Sequence, residues 1–207
     1  MRHIARREDI RDLILNAVDA LLAKFGYRKM TMEDVARQVG IGKGTIYLHF
    51  PSKEELVLAH IDRIGETVVR RLQEMAGSPD SAERKLRRML VFRVLYRFDS
   101  VAHYTQSLGD LLSSVRAPLL VRRQATFEKE GAVFEDVLRD GARLGGLDCS
   151  DPRTTSLVLI HSTNSLLPFS LSPRELGRRE ELEDQVGRIA DLLIKGLLAS
   201  RPASWTR

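Results

Sequence analysis

Cysteine is nearly absent: Cys149 stands alone in a chain of 207 residues. One thiol excludes an internal disulfide framework and any zinc site built on cysteine. It reads as a partly buried residue in a reducing compartment. Long apolar runs are missing as well. The longest stretch without Asp, Glu, Lys or Arg, residues 154–173, is broken up by His161, Asn164, several serines and Pro168. It is too polar to cross a bilayer and suits a buried helix. The first residues, MRHIARREDIRDLIL, are charged almost from the start and lack the apolar core and cleavage site of a signal peptide. A soluble, cytoplasmic chain with no membrane partner is the expectation. Strand signals are lacking too, with no sustained period-two alternation and no Asn-Gly or Asp-Gly hairpin turn. His3, His49, His60, His103 and His161 are scattered without HExxH spacing, and neither a P-loop nor a GxGxxG following a strand occurs. Neither catalysis nor a cofactor or metal is expected.

What is present is placed unevenly. Hydrophobic residues make up 43% of the chain, enough for a real core. Residues 1–53 carry 10 Lys/Arg against 6 Asp/Glu, a net of +4, whereas residues 54–207 carry 23 against 22. Nearly all the excess positive charge therefore sits in the first quarter. Such an excess suggests a polyanion, because neutralising phosphates supplies most sequence-independent affinity for nucleic acid. Charge alone does not separate DNA from RNA or an acidic membrane.

Helical periodicity runs throughout. Ile10, Leu13, Ile14, Ala17, Leu21 and Phe25 follow the i, i+3, i+4, i+7 rule, and Gly26 suits a helix end. Thr31 to Asp34 reads as a capping box opening a short helix that Gly40 closes. A second short helix covers about Gly42 to His49. Ser52 with Glu55 forms another box, opening a long helix with Val57, Ile61, Ile64, Val68, Leu72 and Met75 on one stripe. Further helices are marked by Leu86, Met89, Leu90, Arg93 and Val94, and by Tyr104, Leu108, Leu111, Leu112 and Val115. A new helix is expected to start near Pro118 and reach Leu144, with Gly131 and Gly141 marking either a bend or a close contact. Asp151-Pro152 caps a helix to Leu167, Ser172 to Glu175 a short turn. A last helix carries Leu182, Val186, Ile189, Leu193 and Leu197. The fold class is all-α: a three-helix module over 1–53 and a larger helical domain over 54–207.

Function is concentrated in residues 31–56, TMEDVARQVGIGKGTIYLHFPSKEEL. Ala36, four residues before Gly40, lets two helices approach closely, the glycine makes the turn, and Val39 and Ile41 face inward. Ile46 and Phe50 anchor the second helix. Lys43, Gly44, Thr45, Tyr47 and His49 are left facing out, a poor surface for stability and a good one for a major groove. Blander readings stand beside these: Tyr47 as half-buried packing, His49 as a helix end, Lys43 and Lys53 as solvated lysines. Arg2, Arg6 and Arg7 read either as a basic arm for the minor groove or as a soluble end.

Gly40-Ile-Gly-Lys-Gly-Thr-Ile-Tyr-Leu-His-Phe50 followed by Pro51-Ser-Lys-Glu-Glu-Leu56 resembles the signature of the TetR family of transcriptional regulators. The resemblance is specific over about residues 10 to 60 and architectural beyond. It implies that Thr45, Tyr47 and His49 meet double-stranded DNA, and that Thr31 and Lys53, at helix openings, hold phosphates; free N–H groups at helix N-termini agree with this. Gly42 departs from the Ser or Asn that often caps the recognition helix, which weakens that cap. The implied protein is a repressor released from a roughly palindromic operator by a small-molecule effector.

One module makes few phosphate contacts, so a homodimer is expected. Leu157, Val158, Ile160 and His161 on one helix, with Leu182, Val186, Ile189, Leu193 and Leu197 on the last, are candidates for a two-fold four-helix interface. The alternative is that these faces fill the monomer core. Candidate effector contacts are His103, Tyr104, Phe127, Phe134, His161 and Asn164, each aromatic also readable as core. His161 and Asn164 pair either with a ligand or with each other across the dimer. A regulator with no ligand, controlled by a protein partner or its own level, is also compatible with the sequence.

Overall fold

A computed structural model describes residues 7–168 and 177–198, with side chains from residue 10 onward. Helices follow in the order α1 (Arg7–Lys29), α2 (Met32–Val39), α3 (Lys43–His49), α4 (Lys53–Ala76), α5 (Ala82–Val101), α6 (Thr105–Arg143), α7 (Pro152–Asn164) and α8 (Arg179–Lys195). A 3-10 turn, Ala102–Tyr104, joins α5 to α6. Among the described residues there is no strand, only an isolated bridge between Leu147 and Leu198. The all-α expectation is met. No described helix is long and apolar enough to cross a membrane.

The chain forms two compact units. One comprises Met1–Gly65 with Ser100–Gln124, the other Glu66–Asp99 with Ala125–Arg207. The first unit thus holds the start of α4 and of α6 besides α1, α2 and α3.

In the first unit α1 buries Ile14, Leu15, Ala17, Val18, Leu21 and Leu22. Leu13 and Phe25, expected on that stripe, are exposed instead. The buried face is centred between them, and the Phe25 ring lies under the Lys24 ammonium at 4.9 Å. Helical backbone breaks at Gly26 (φ 72, ψ 169), where a helix end was expected. The Thr31 box forms in full: its hydroxyl accepts from the Asp34 N–H at 3.1 Å, and the Asp34 carboxylate accepts from the Thr31 N–H at 3.0 Å. Gly40 closes α2 in the left-handed region (φ 77), and both its N–H and that of Ile41 reach the Ala36 carbonyl. The second box is only half made. Ser52 accepts from the Glu55 N–H at 3.1 Å, but the Glu55 carboxylate is taken by Arg122 at 2.6 Å.

α4 buries His60. Its Nε2 lies 3.3 Å from the Tyr104 hydroxyl and 3.5 Å from Asp19 Oδ1, and Nδ1 is buried without a partner. His103 reaches the same Asp19 oxygen at 3.1 Å. Burial pushes the His60 imidazole down to about 4, against the opposing pull of Asp19, with Arg63 and His103 adding to the depression. An ordinary histidine protonates near pH 6.5 in an unfolded chain. The unfolded state therefore takes up a proton that the native state refuses, and stability falls as pH drops from about 6.5 to about 4. The expected loss is roughly 3 kcal/mol at about 1.4 kcal/mol per unit. Denaturant midpoints between pH 4 and 7 should show this slope, and His60→Leu should remove that part of it. Equal slopes in both proteins would refute the assignment.

The expectation of a new helix at Pro118 is overturned. α6 runs unbroken through 39 residues with Pro118 inside. An interior proline costs about 3 kcal/mol, and burial of Val115 and Leu119 on either side holds the helix together. In the second unit, Gly141 marks a close contact: a Cβ there would lie 2.5 Å from Leu147 Cδ1 and 2.7 Å from Ala82 Cβ. Gly131 has ordinary room. Asp151 caps α7 by accepting from the Thr154 N–H at 3.0 Å, and α7 ends at Asn164 rather than the expected Leu167. The turn expected over Ser172 to Glu175 lies outside the described residues, as do Arg2, Arg6 and the Arg7 side chain.

Candidate nucleic-acid interface

α3 is seven residues long and hangs on two apolar anchors. Ile46 and Phe50 are buried, as the i, i+4 spacing predicts, and Arg11 lies over the Phe50 ring at 4.9 Å. Gly42 caps α3 without any side-chain hydrogen bond, the weak cap foreseen from its lack of a side chain. Fixing Ile46 inward turns the remaining residues outward. Lys43 and Gly44 are exposed, Tyr47 is 46% exposed, and Thr45 and His49 are half-buried. Lys43 faces Glu33 of α2 at 4.0 Å.

The two residues expected to hold phosphates are already engaged. The Thr31 hydroxyl donates to Asp34 Oδ2 at 2.7 Å while accepting from the Asp34 N–H, so a phosphate would compete with the capping box. Glu33 and Asp34 also put negative charge in that first turn. Lys53, half-buried, rests its ammonium 4.3 Å from the Tyr27 ring centroid and donates to the Arg28 carbonyl at 3.4 Å. Burial pulls this ammonium below its usual value. A lysine held over an aromatic face still carries its charge at the start of α4, now in a fixed place. One residue of this surface escaped sequence reasoning: Leu48, 76% exposed, stands among the polar groups of α3. A leucine in a helical segment is read as core by default, and only its phase relative to Ile46 shows otherwise.

Residues 14–60 match the family model described as bacterial regulatory proteins, tetR family. Over these residues the chain is similar to TetR-family transcriptional regulators. It is 25% identical over 166 residues, 73% of this chain and 79% of the other, to the uncharacterized HTH-type transcriptional regulator YhgD of Bacillus subtilis (strain 168). Its fold is shared with a transcriptional regulator from Cytophaga hutchinsonii, at a TM-score of 0.73 and 21% identity over 91% of this chain and 98% of that one. It is shared also with FadR of Bacillus subtilis, solved in complex with stearoyl-CoA, at 0.64 and 19% over 89% and 98%. The module and the relatives that these comparisons match are those of DNA-binding transcriptional regulators.

The expected effector residues fall in both units. His103 and Tyr104 belong to the first unit, where Tyr104 is buried against His60 and His103 is exposed. Phe127, Phe134, His161 and Asn164 belong to the second. Phe134 is wholly buried, and Phe127 lies under the Arg93 guanidinium at 5.4 Å. Asn164 accepts from Arg93 at 3.0 Å and lies 3.3 Å from His161 Nδ1, so these two polar residues meet within one chain.

Arg93 is the center of a group that the sequence did not single out. With no exposed surface, it donates to Glu130 at 2.7 Å, to the Ile160 carbonyl at 3.2 Å, to the Thr163 hydroxyl and to Asn164. Arg97 donates to the other Glu130 oxygen and, at 2.9 Å, to the Arg93 carbonyl. α5, α6 and α7 are thereby tied together inside the second unit.

Candidate dimer residues divide by burial. Leu182 and Val186 fill the chain's own core and are removed from any outer face, because the inward stripe of α8 runs through them to Ala190 and Ile194. Ile189, Leu193 and Leu197 are half-buried, while Leu157 and His161 on α7 are exposed. α7 and α8 pack on each other, and beside these residues Val158 (51% exposed) and Leu192 (74%) also point outward.

Proposed function

We propose that this chain is a cytoplasmic, sequence-specific repressor that binds a roughly palindromic operator as a homodimer and leaves it when a small-molecule effector binds. Residues 1–53 would read DNA, and residues 54–207 would pair and sense. The observation that carries the reading is the division of α3: Ile46 and Phe50 inward, Lys43, Gly44, Thr45, Tyr47 and His49 toward solvent. A short helix with this polar face fits the major groove. The outward aliphatic residues of α7 and α8 support pairing of copies, which supplies the second half-site contact. Response to a small molecule is supported by two proteins of similar fold, FadR with stearoyl-CoA and SmeT with triclosan.

Selection of bound sequences from random double-stranded DNA tests the reading. Two inverted half-sites with centres about one helical turn apart, or a multiple of it, are expected. On the selected operator, Lys53→Ala should weaken binding and lower the slope of log K against log salt by about one unit. Failure of the folded protein to bind any duplex at low ionic strength would overturn the reading.

A further inference from the structure

Leu48 has no role in holding the fold. Two residues beyond the inward Ile46, it sits about 200° round the helix and points away from the core. Leu48 is 76% exposed, against 46% for Tyr47 and none for Ile46. Gly44, one turn earlier on the same side, leaves open space: a Cβ there would meet nothing within 4 Å. The outer crest of α3 is therefore a bare backbone followed by one isobutyl group, flanked by Lys43, Tyr47 and His49. Leucine makes no hydrogen bond, to phosphate or to a base edge. The one apolar group that the floor of a major groove offers is the 5-methyl of thymine.

Resting on the DNA-binding reading above, we propose that Leu48 is a specificity-determining residue that packs on a thymine methyl in each half-site. The absence of a side chain at Gly44 lets the helix crest approach the base edges closely enough for that contact.

The test uses the full-length protein and its selected operator, with each thymine in turn replaced by deoxyuridine at symmetric positions of both half-sites. Uracil keeps every hydrogen-bonding group and loses only the methyl. At one position the replacement should weaken wild-type binding about 4-fold per half-site, roughly 15-fold for the pair, as expected for uncovering one buried carbon. Leu48→Ala should bind the thymine and uracil operators equally, and its exposed position should leave the melting temperature unchanged. The inference falls if wild type tolerates uracil at every position, or if the loss persists undiminished in Leu48→Ala. Wild-type binding without methyl sensitivity removes this inference alone, whereas no duplex binding at all removes the DNA reading with it.

Discussion

Glu130→Ala is expected to lower the folding free energy by about 3–5 kcal/mol, the usual cost of stripping one partner from a buried ion pair. Arg93 and Arg97 are 0% and 3% exposed, Glu130 0%. Burial by itself pushes the Glu130 carboxyl up, but Arg93 and Arg97 outweigh it and hold the group below the usual carboxylate range. It is therefore ionised at neutral pH. Removing it leaves two buried guanidinium groups beside neutral acceptors (the Ile160 carbonyl, Thr163 and Asn164 for Arg93, the Arg93 carbonyl for Arg97) and without the Glu130 counter-charge. Glu130→Gln keeps the shape and an acceptor but not the charge, and should lose less. Urea unfolding of the three proteins measures both. A loss below about 1 kcal/mol for the alanine variant would mean that the cluster opens to water. The same cluster constrains sensing. Asn164 and Phe127, both candidate effector contacts, are held by Arg93, so a ligand that bonds Asn164 competes with a buried arginine.

Tyr47→Ala is expected to weaken operator binding by roughly 10- to 100-fold, the loss of about 1–3 kcal/mol typical of a side chain reaching the groove. Its ring is 46% exposed in the isolated chain, so the fold gains little from it, and the melting temperature should move by no more than a few degrees. The measurement is fluorescence anisotropy on the operator beside a duplex of scrambled sequence. The ratio between the two should shrink if Tyr47 acts on the specific complex and the basic groups of residues 1–53 on the general one. Unchanged affinity in a folded variant would show that the outward side of α3 is not the reading surface.

The reading of residues 31–56 from sequence was close to what the chain forms, for local reasons. A capping box needs only Thr31 and Asp34 three residues apart, and a left-handed turn needs only Gly40. Inward anchoring of Ile46 and Phe50 follows from helical period. What failed depended on partners distant in the chain. Pro118 signals a helix start by its chemistry, and only burial of Val115 and Leu119 carries α6 past it. Glu130 lies three residues after Phe127 and four before Phe134, on an otherwise apolar stripe, and Arg93 sits between Leu90 and Val94 in the same way. Charges in apolar register were the available signal for that cluster, but pairing over 37 residues is invisible to periodicity. The half-made Ser52 box fails likewise, since Arg122 claims Glu55 from far along the sequence.

The bare cap at Gly42 has a consequence for how α3 behaves between encounters with DNA. A seven-residue helix with no side chain on its first N–H groups unwinds from that end at little cost. Its backbone protons should therefore trade for deuterium through brief fraying, well before those of α4. Holding an operator would have to quiet that exchange, so part of the attraction to duplex DNA is spent on completing a helix.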